Sequence, residues 1–382
     1  MRFHRCEIVF DALSVAIFTA AVLAPLVGIW AGLGQLQAKE EKRQLAPLPM
    51  VAPNLSSWGA APAAFTAYFN DHFGFRKTLV NAYGLVKVKV LGESTSPDVV
   101  VGKDGWLYYS IGLSANTYRG LEAFGPGELH QWTIVLRRMR DWLASRNIPF
   151  YVIIPPDKHT IYPEYLPASV QLGGAANRLE MLTDALRRES IDVIDVRDRL
   201  LRAKSTGLLF HKTDTHWNGN AGYVAYHAIL SELSRSFPLV HPYPRSDFTE
   251  WRPRATGDLN ALLGLTHGYE EDYLLLVPRR TAYSRREDGK VVITEIDDPQ
   301  LPRMVMFRDS FANFLIPMLS QNFRRAVCIW DNTFDPALVE REKPDLVLFE
   351  LVERRLIEGT ARYPSPSESF AAKLGVPPDS HP

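Results

Sequence analysis

The apolar and polar residues of this chain follow different patterns in its N-terminal part and in the remainder. Residues 12–34 are almost all apolar, and no charged side chain occurs between residues 12 and 38. At 1.5 Å per residue, a helix of this length crosses a hydrocarbon core of about 30 Å. Residues 39–64, rich in Pro, Ala, Ser and charge, follow it. We predict an N-terminal signal anchor with one transmembrane helix over residues 1–38, and a linker over residues 39–64.

A cleaved signal peptide is the alternative to this anchor. The apolar region of such a peptide spans about 7–15 residues and ends in a small-x-small site. Here the apolar stretch is longer, and the site that ends at Ala38 fits poorly. Basic residues flank the stretch on both sides, so the positive-inside rule does not decide the orientation.

From residue 127 onward the pattern alternates between helix and strand, and one further segment with helical spacing precedes it. Residues 64–90 and 128–146 have helical spacing, and residues 150–154 form a continuous apolar run typical of a buried parallel strand. Further strands are predicted at residues 191–196, 303–307, 325–330 and 345–352, and further helices at residues 177–189, 219–237, 311–321 and 336–343. This alternation predicts an α/β sandwich, residues 65–360, in which helices cover a parallel sheet.

Three segments fall outside this alternation. Residues 99–109 are predicted to form two short strands around the turn Lys103-Asp104-Gly105. Residues 241–300 break the rhythm and are predicted to be a peripheral insertion. Residues 361–382 are predicted to be a C-terminal tail.

Composition narrows the classes of function. Lys plus Arg and Asp plus Glu number 43 each, so the basic excess of a nucleic-acid binder is missing and we expect no nucleic-acid partner. The only cysteines, Cys6 and Cys328, supply neither a disulfide framework nor a cysteine metal site. The sequence carries no nucleotide-binding motif. We therefore expect no cofactor.

Ser310 stands directly after a predicted strand and before a predicted helix. Ligands bind at the carboxyl ends of parallel strands, which also places residues 155–159 and 331–332 near a site. A serine in such a turn has its backbone N–H at a helix N-terminus, which suits a nucleophile whose own amide helps to hold an oxyanion. An ordinary helix cap is the alternative interpretation.

Asp214 and His216 lie two residues apart in a predicted loop. A histidine can take the proton of a serine hydroxyl, and a carboxylate can hold the tautomer of that histidine. A loop histidine beside a capping aspartate is the plainer interpretation. A metal site with His211, His159 or Asp309 is a third one, but the regular ligand spacing of such sites is missing, and we predict no metal.

Lys158 follows another predicted strand, together with His159. These side chains either line a site or are solvated loop charges.

Several short motifs occur in a fixed order within residues 65–355. They are Val101-Gly102-Lys103-Asp104-Gly105-Trp106-Leu107-Tyr108, Ile154-Pro155-Pro156-Asp157-Lys158, Ile161-Tyr162-Pro163-Glu164, Lys212-Thr213-Asp214-Thr215-His216-Trp217, Gly257-Asp258-Leu259 and Asp309-Ser310-Phe311. Together they resemble the SGNH-hydrolase-like family of alginate O-acetyltransferases, the AlgJ and AlgX type. The N-terminal anchor resembles AlgJ more than the secreted AlgX.

This resemblance implies an SGNH-hydrolase-like three-layer sandwich with a circularly permuted motif order, because the Asp/His block precedes the serine block. It implies Ser310 as nucleophile, His216 as general base and Asp214 as the partner of the histidine.

The same resemblance bears on the groups that bind the oxyanion and the substrate. Many family members have Gly where this chain has Arg308. The backbone N–H of Ser310 is expected to be one oxyanion donor, with Asn313 as a second. Arg308 and Lys158 are further candidates for the oxyanion or substrate site.

The function implied is a membrane-anchored O-acetyltransferase that acetylates hydroxyls of an exported polysaccharide through an acetyl-serine intermediate. The implied partners are the polysaccharide acceptor and a multi-pass membrane acyltransferase that supplies the acetyl group. The implied location is the inner membrane, with the catalytic domain in the periplasm. Two alternatives remain: a polysaccharide acetyl-esterase with the same three residues, and a non-catalytic assembly subunit, for which Arg308 is the supporting feature.

Overall fold

The computed structural model describes residues 2–31, 46–50, 53, 55–110, 123–170 and 177–356. By its contacts the chain divides into two compact units, Met1–Val90 and Leu91–Pro382. The predicted tail, residues 361–382, lies outside the described residues.

The first unit is helical. Its elements are α1 (Arg2–Trp30), α2 (Leu55–His72), α3 (Arg76–Leu85) and a π-helical segment (Val86–Leu91) that continues α3. Within the described part of the chain, one stretch, Phe10–Trp30, is long and apolar enough to cross a membrane. Helix α2 begins inside the segment predicted to be a linker, because its alanines favour a helix.

A seven-stranded sheet forms the centre of the second unit. In spatial order its strands are β4 (Asp192–Ile194), β3 (Phe150–Ile153), β13 (Leu346–Glu350), β11 (Arg303–Arg308), β12 (Arg325–Trp330), β10 (Val291–Glu295) and β9 (Ser284–Asp288). The strands from β4 to β12 are parallel, and Val305 of β11 pairs with Val327 and Val347. Their carboxyl ends therefore share one edge of the sheet.

The sheet is mixed, which corrects the prediction of a parallel sheet. Strand β10 pairs antiparallel with β12, and β9 pairs antiparallel with β10. Both strands come from the segment predicted to be a peripheral insertion, so this part of it belongs to the sheet. All five residues of β9 are polar and exposed, and a strand without apolar residues leaves no alternation in the sequence.

Helices cover both faces of the sheet. One face carries α4 (Pro126–Ala144), α6 (Arg178–Arg188) and α11 (Pro336–Glu342), and the other carries α7 (Arg197–Ala203) and α8 (Gly219–Leu233). Successive side chains of a strand point to opposite faces. Thus Phe150 and Val152 pack against α4, α6 and α11 on one face, and Tyr151 and Ile153 pack in the core beneath α7 and α8 on the other. The result is a three-layer α/β sandwich.

Short elements complete the second unit. The predicted hairpin is confirmed as β1 (Val99–Val101) and β2 (Leu107–Tyr109). Further elements are α5 (Lys158–Ile161), β5 (Phe248–Trp251), β6 (Arg254–Ala255), α9 (Asp258–Leu262), β7 (Glu271–Asp272), β8 (Leu275–Pro278) and α10 (Ile316–Leu319).

Candidate active site

Ser310 begins a 3-10 turn, Ser310–Phe314, immediately after β11. Asp309 caps the turn, and its Oδ1 accepts a hydrogen bond from the Phe311 N–H at 2.9 Å. Its Oδ2 accepts a second one from the Val352 N–H at 2.7 Å, just after β13. The Asp309 carboxylate therefore both caps the turn and ties it to the neighbouring strand.

The helix predicted over residues 311–321 is broken into shorter pieces. The 3-10 turn is followed by α10, which has Pro317 in its first turn. Proline has no N–H to donate and clashes with the preceding turn, which disfavours one continuous helix there.

A buried acid, Glu350, binds the backbone just before the Ser310 turn. Glu350, at the end of β13, accepts a hydrogen bond from the Asp309 N–H at 2.7 Å. Burial, together with the neighbouring Asp309 carboxylate, raises the pKa of Glu350 well above its ordinary value. The protonated form of Glu350 is therefore favoured beneath the serine turn.

The loop that carries Asp214 and His216 precedes α8. A β-bridge between Phe210 and Trp217 closes the loop at its base. The Trp217 indole N–H donates to the Phe311 carbonyl at 2.9 Å, which joins the loop to the Ser310 turn. Two segments far apart in sequence are thus held side by side.

Ser310, His216 and Asp214 are brought together in one line of hydrogen bonds. His216 Nε2 lies 2.7 Å from Ser310 Oγ, and His216 Nδ1 lies 2.6 Å from Asp214 Oδ1. Because a carboxylate only accepts, Nδ1 carries the proton and the bare Nε2 accepts from the serine hydroxyl. This is the tautomer that can remove a proton from Ser310.

The Asp214 carboxylate is buried and accepts three hydrogen bonds. Oδ1 accepts from Nδ1 and, at 2.9 Å, from the N–H of His216, while Oδ2 accepts from the Asp258 N–H at 3.0 Å. Burial by itself would raise the pKa of Asp214, but the bonds and charge of His216 and the Asp258 N–H outweigh it and lower the pKa to about 2. Asp214 is therefore charged at neutral pH.

The Gly257-Asp258 segment packs tightly against this carboxylate. A Cβ on Gly257 would overlap the Thr213 carbonyl and come within 2.6 Å of the Asp214 nitrogen. The Asp258 carboxylate accepts from the Thr215 N–H at 2.7 Å and from the Thr215 hydroxyl at 2.5 Å. Its Oδ2 lies 3.7 Å from His216 Nδ1. Asp258 thus holds the histidine loop at two points, Asp214 through its backbone N–H and Thr215 through its carboxylate.

An open cleft of about 260 Å³ lies over Ser310 and His216. Its other lining residues are Tyr109, Thr215, Asp258, Asp309, Val352, Arg354 and Arg355. Arg354 forms a buried ion pair with Asp157 at 2.8 Å. The cleft therefore combines the candidate nucleophile and base with a wall of two arginines.

The backbone N–H of Ser310 has no hydrogen-bond partner within the described parts of the chain. It belongs to the first residue of the turn, where no carbonyl of the turn can reach it. It is therefore available to an oxyanion formed beside the Ser310 side chain.

Arg308 and Asn313 contact each other around the Ser310 turn. Arg308 Nη1 donates to Asn313 Oδ1 at 2.9 Å and to the Asp309 carbonyl at 3.1 Å. The guanidinium carbon lies 4.4 Å from the centre of the Trp330 ring. Arg308 is buried and braces both ends of the turn, and neither Arg308 nor Asn313 lines the cleft described above.

Lys158 is buried beside the β1–β2 hairpin, outside that cleft. Its Nζ donates to the carbonyls of Leu107 and Lys212 at 2.8 and 3.0 Å. Burial lowers the pKa of Lys158 to about 8. The lysine joins the hairpin to the histidine loop.

Asp214, His216 and Asp258 also have the atom types of metal ligands, and those atoms lie within 4.8 Å of one another. The short distance between His216 Nδ1 and Asp214 Oδ1 requires a proton between them. A metal ion would have to displace that proton and the bonds from the Thr215 hydroxyl to Asp258. The observed arrangement favours hydrogen bonding over metal binding.

The sequence analysis assigns no role to three residues that shape the site, namely Asp258, Arg354 and Glu271. Asp258 occurs there only within the Gly257-Asp258-Leu259 motif, and Arg354 both pairs with Asp157 and lines the cleft. Glu271 binds the N–H groups of Lys212 and Thr213 at 2.8 and 2.7 Å. Its position in a polar segment carries no signal of this contact.

Known proteins share this fold and part of this sequence. The structure of PatB1 from Bacillus cereus superposes with a TM-score of 0.55 and 14% identity, covering 69% of this chain and 99% of that one. Probable alginate O-acetylase AlgJ of Pseudomonas aeruginosa is 27% identical over 234 residues, 60% of this chain and 56% of the relative. AlgJ of Pseudomonas putida is 26% identical over 256 residues, 65% of this chain and 61% of the relative. The chain thus spans less than two thirds of the length of these relatives.

The family model for the SGNH hydrolase-like domain of the acetyltransferase AlgX matches residues 99–330. This range includes the hairpin, the histidine loop, the Gly257-Asp258 segment and Ser310. The chain belongs to the AlgX family of SGNH hydrolase-like domains.

Proposed function

We propose that this chain is a membrane-anchored O-acetyltransferase that acetylates hydroxyl groups of an exported polysaccharide through an acetyl-serine intermediate. The observation that carries the proposal is the hydrogen-bonded line from Ser310 through His216 to Asp214. The alginate O-acetylases among its relatives supply the reaction class.

Acetylation of the serine is the first half-reaction. His216 Nε2 takes the proton of Ser310 Oγ as the oxygen attacks the acetyl carbonyl carbon of the donor. The oxyanion that forms is stabilised by the Ser310 N–H. When the intermediate collapses, the leaving group of the donor departs with the proton from His216.

Transfer to the sugar reverses the same steps. A sugar hydroxyl gives its proton to His216 Nε2 and attacks the carbonyl carbon of acetyl-Ser310. Collapse releases Ser310 Oγ, which regains the proton from His216. In both steps the charged Asp214 stabilises the imidazolium, since it is held ionised by its own hydrogen bonds.

Helix α1 supports the proposed location, since Phe10–Trp30 is long and apolar enough to cross a membrane. Phe10–Trp30 would hold the chain in the inner membrane, with the second unit in the periplasm. The acetyl group would come from a multi-pass membrane acyltransferase, and the acceptor would be a polysaccharide such as alginate.

The test is acylation of the full-length protein by p-nitrophenyl acetate in detergent. We expect p-nitrophenol release and an acetyl adduct on Ser310, both lost in Ser310→Ala. Ser246→Ala, which changes an exposed serine, is the matched control and should keep the parent rate. Equal release by the parent and Ser310→Ala proteins, with no adduct, would contradict the proposal.

A cellular measurement separates transfer from hydrolysis. Deleting the gene should lower polysaccharide acetylation if the chain is a transferase. A rise in acetylation would identify an esterase that uses the same three residues with water as acceptor.

A further inference from the structure

Helices α2 and α3 each present a stripe of apolar side chains to the surface. On α2, Trp58, Phe65 and Phe69 are exposed at spacings of seven and four residues. On α3, Leu79 and Tyr83 are exposed one turn apart. Residues at these spacings lie on one face of a helix, so each stripe is continuous along its helix.

The π-helical segment extends the second stripe. Val86 and Val90 follow Tyr83 at spacings of three and four residues, and Val90 is 74% exposed. Soluble proteins rarely expose large contiguous apolar patches, and such patches mark protein or membrane contacts. The aromatic content favours a membrane, because Trp and Tyr are enriched at the boundary between lipid and water.

A close contact fixes the depth of these helices relative to α1. A Cβ on Gly74, between α2 and α3, would overlap the backbone of Gly28. Gly28 lies two residues before Trp30, the end of the apolar stretch, or about 3 Å along the helix axis. If Phe10–Trp30 spans a bilayer, the junction of α2 and α3 lies at the level of the lipid headgroups.

The charge of these helices suits anionic headgroups. From Leu55 to Val90 the chain carries Arg76, Lys77, Lys87 and Lys89 against the single acid Asp71. Basic residues next to a membrane-spanning helix are attracted to the phosphate groups of anionic lipids.

We propose that α2, α3 and the π-helical segment lie in the headgroup region of an anionic phospholipid bilayer, at the C-terminal end of α1. The apolar stripes would enter the boundary of the acyl chains, and the basic side chains would contact phosphate groups. This inference rests on the membrane anchoring stated in the proposed function and adds a second, interfacial contact to it.

The test uses full-length protein in vesicles of phosphatidylethanolamine and phosphatidylglycerol at about 3:1, with single spin labels on introduced cysteines. The parent carries Cys6→Ser. Cys328 stays, because it is buried and burial raises its pKa to about 12, so it does not react with the label. Phe69→Cys and Tyr83→Cys report on the stripes, and Phe18→Cys reports on the spanning helix.

Asn70→Cys and Thr78→Cys are the matched controls, since both positions are exposed and lie off the stripes. We expect the labels at 69 and 83 to be reached by oxygen more than by a water-soluble nickel complex, with the reverse at 70 and 78. The label at 18 should lie deeper than all four.

Each other outcome overturns the inference and shows which part of it is wrong. A lipid-exposed label at 18 with water-exposed labels at 69 and 83 refutes the interfacial contact and leaves the anchor intact. Labels at 69 and 83 that are immobilised and reached by neither relaxant indicate a protein partner in place of lipid. A water-exposed label at 18 refutes both the anchor and the inference, while the acylation test of Ser310 remains unaffected.

Discussion

Replacing Asp214 by Asn removes one oxygen acceptor and the charge while keeping the size of the side chain. Asp214 accepts bonds from His216 through Oδ1 and from the Asp258 N–H through Oδ2. An asparagine whose oxygen faces His216 places its NH₂ against the Asp258 N–H. The opposite orientation places the NH₂ against His216 Nδ1 and forces the ring proton onto Nε2, where it blocks removal of the serine proton.

The expected loss of acylation rate can be worked out from the pKa of Asp214. The folded protein lowers the pKa of Asp214 from 3.8 to about 2, so the site prefers the charged carboxylate by about 2 kcal/mol. Loss of that amount from the transition state slows acylation by about 30-fold. Loss of the correct tautomer adds to it, and the equivalent change in a serine protease costs about 10⁴-fold. We expect Asp214→Asn to acylate between about 30-fold and 10⁴-fold more slowly than the parent.

The assay is single-turnover acylation by p-nitrophenyl acetate, followed by p-nitrophenol release and intact mass. Asp272→Asn, a change at an exposed carboxylate, is the control and should leave the rate unchanged. Circular dichroism establishes that both variants are folded. A folded Asp214→Asn protein that acylates within about threefold of the parent would refute the role given to Asp214.

Four further changes, the first with a matched control, test the surroundings of the site. Gly257→Ala should displace the neighbouring loop and abolish acylation, whereas Gly127→Ala, at a helical glycine with open space around it, should leave acylation unchanged and stabilise the protein by about 0.5–1 kcal/mol. Arg308→Ala should lower the free energy of unfolding by about 2–3 kcal/mol in urea titration, through loss of its hydrogen bonds. Asp258→Ala should slow acylation about tenfold, equivalent to about 1.4 kcal/mol, at unchanged secondary structure by circular dichroism. The fold lowers the pKa of Lys158 from 10.5 to about 8, so between these pH values the unfolded chain binds more protons than the folded one. The free energy of unfolding in urea titrations should therefore rise between pH 8 and 10.5, and Lys158→Met should lack this rise.

The central strands could be located from the sequence because burial on both faces makes each one a continuous apolar run. The run Phe150–Ile153 is β3, and the run Leu346–Glu350 lies within the predicted strand at residues 345–352. The hairpin of β9 and β10 could not be placed with them, since Ser284–Asp288 has no apolar residue to reveal its pairing. Local periodicity predicts the strands that make the core and misses those that border it.

The same limit applies to the site. Ser310, His216 and Asp214 could be singled out because their residue types and positions suggest one chemistry. The contribution of Asp258 depends on a hydrogen bond to Asp214, 44 positions earlier. The contribution of Arg308 depends on the Trp330 ring and the Asn313 amide, which the fold brings together around it. Contacts between distant segments leave no periodic signal in the sequence.

Strand β9 has a consequence for the behaviour of the protein in a crowded compartment. An edge strand offers unpaired backbone groups to any other strand, which is a route to aggregation. Four of the five side chains of β9 are charged, with Arg285 and Arg286 followed by Glu287 and Asp288. At the opposite edge, β4 is only three residues long. Charged side chains therefore oppose strand pairing at one edge of the sheet, and the short length of β4 limits it at the other. Both features disfavour edge-to-edge association of two copies through their sheets.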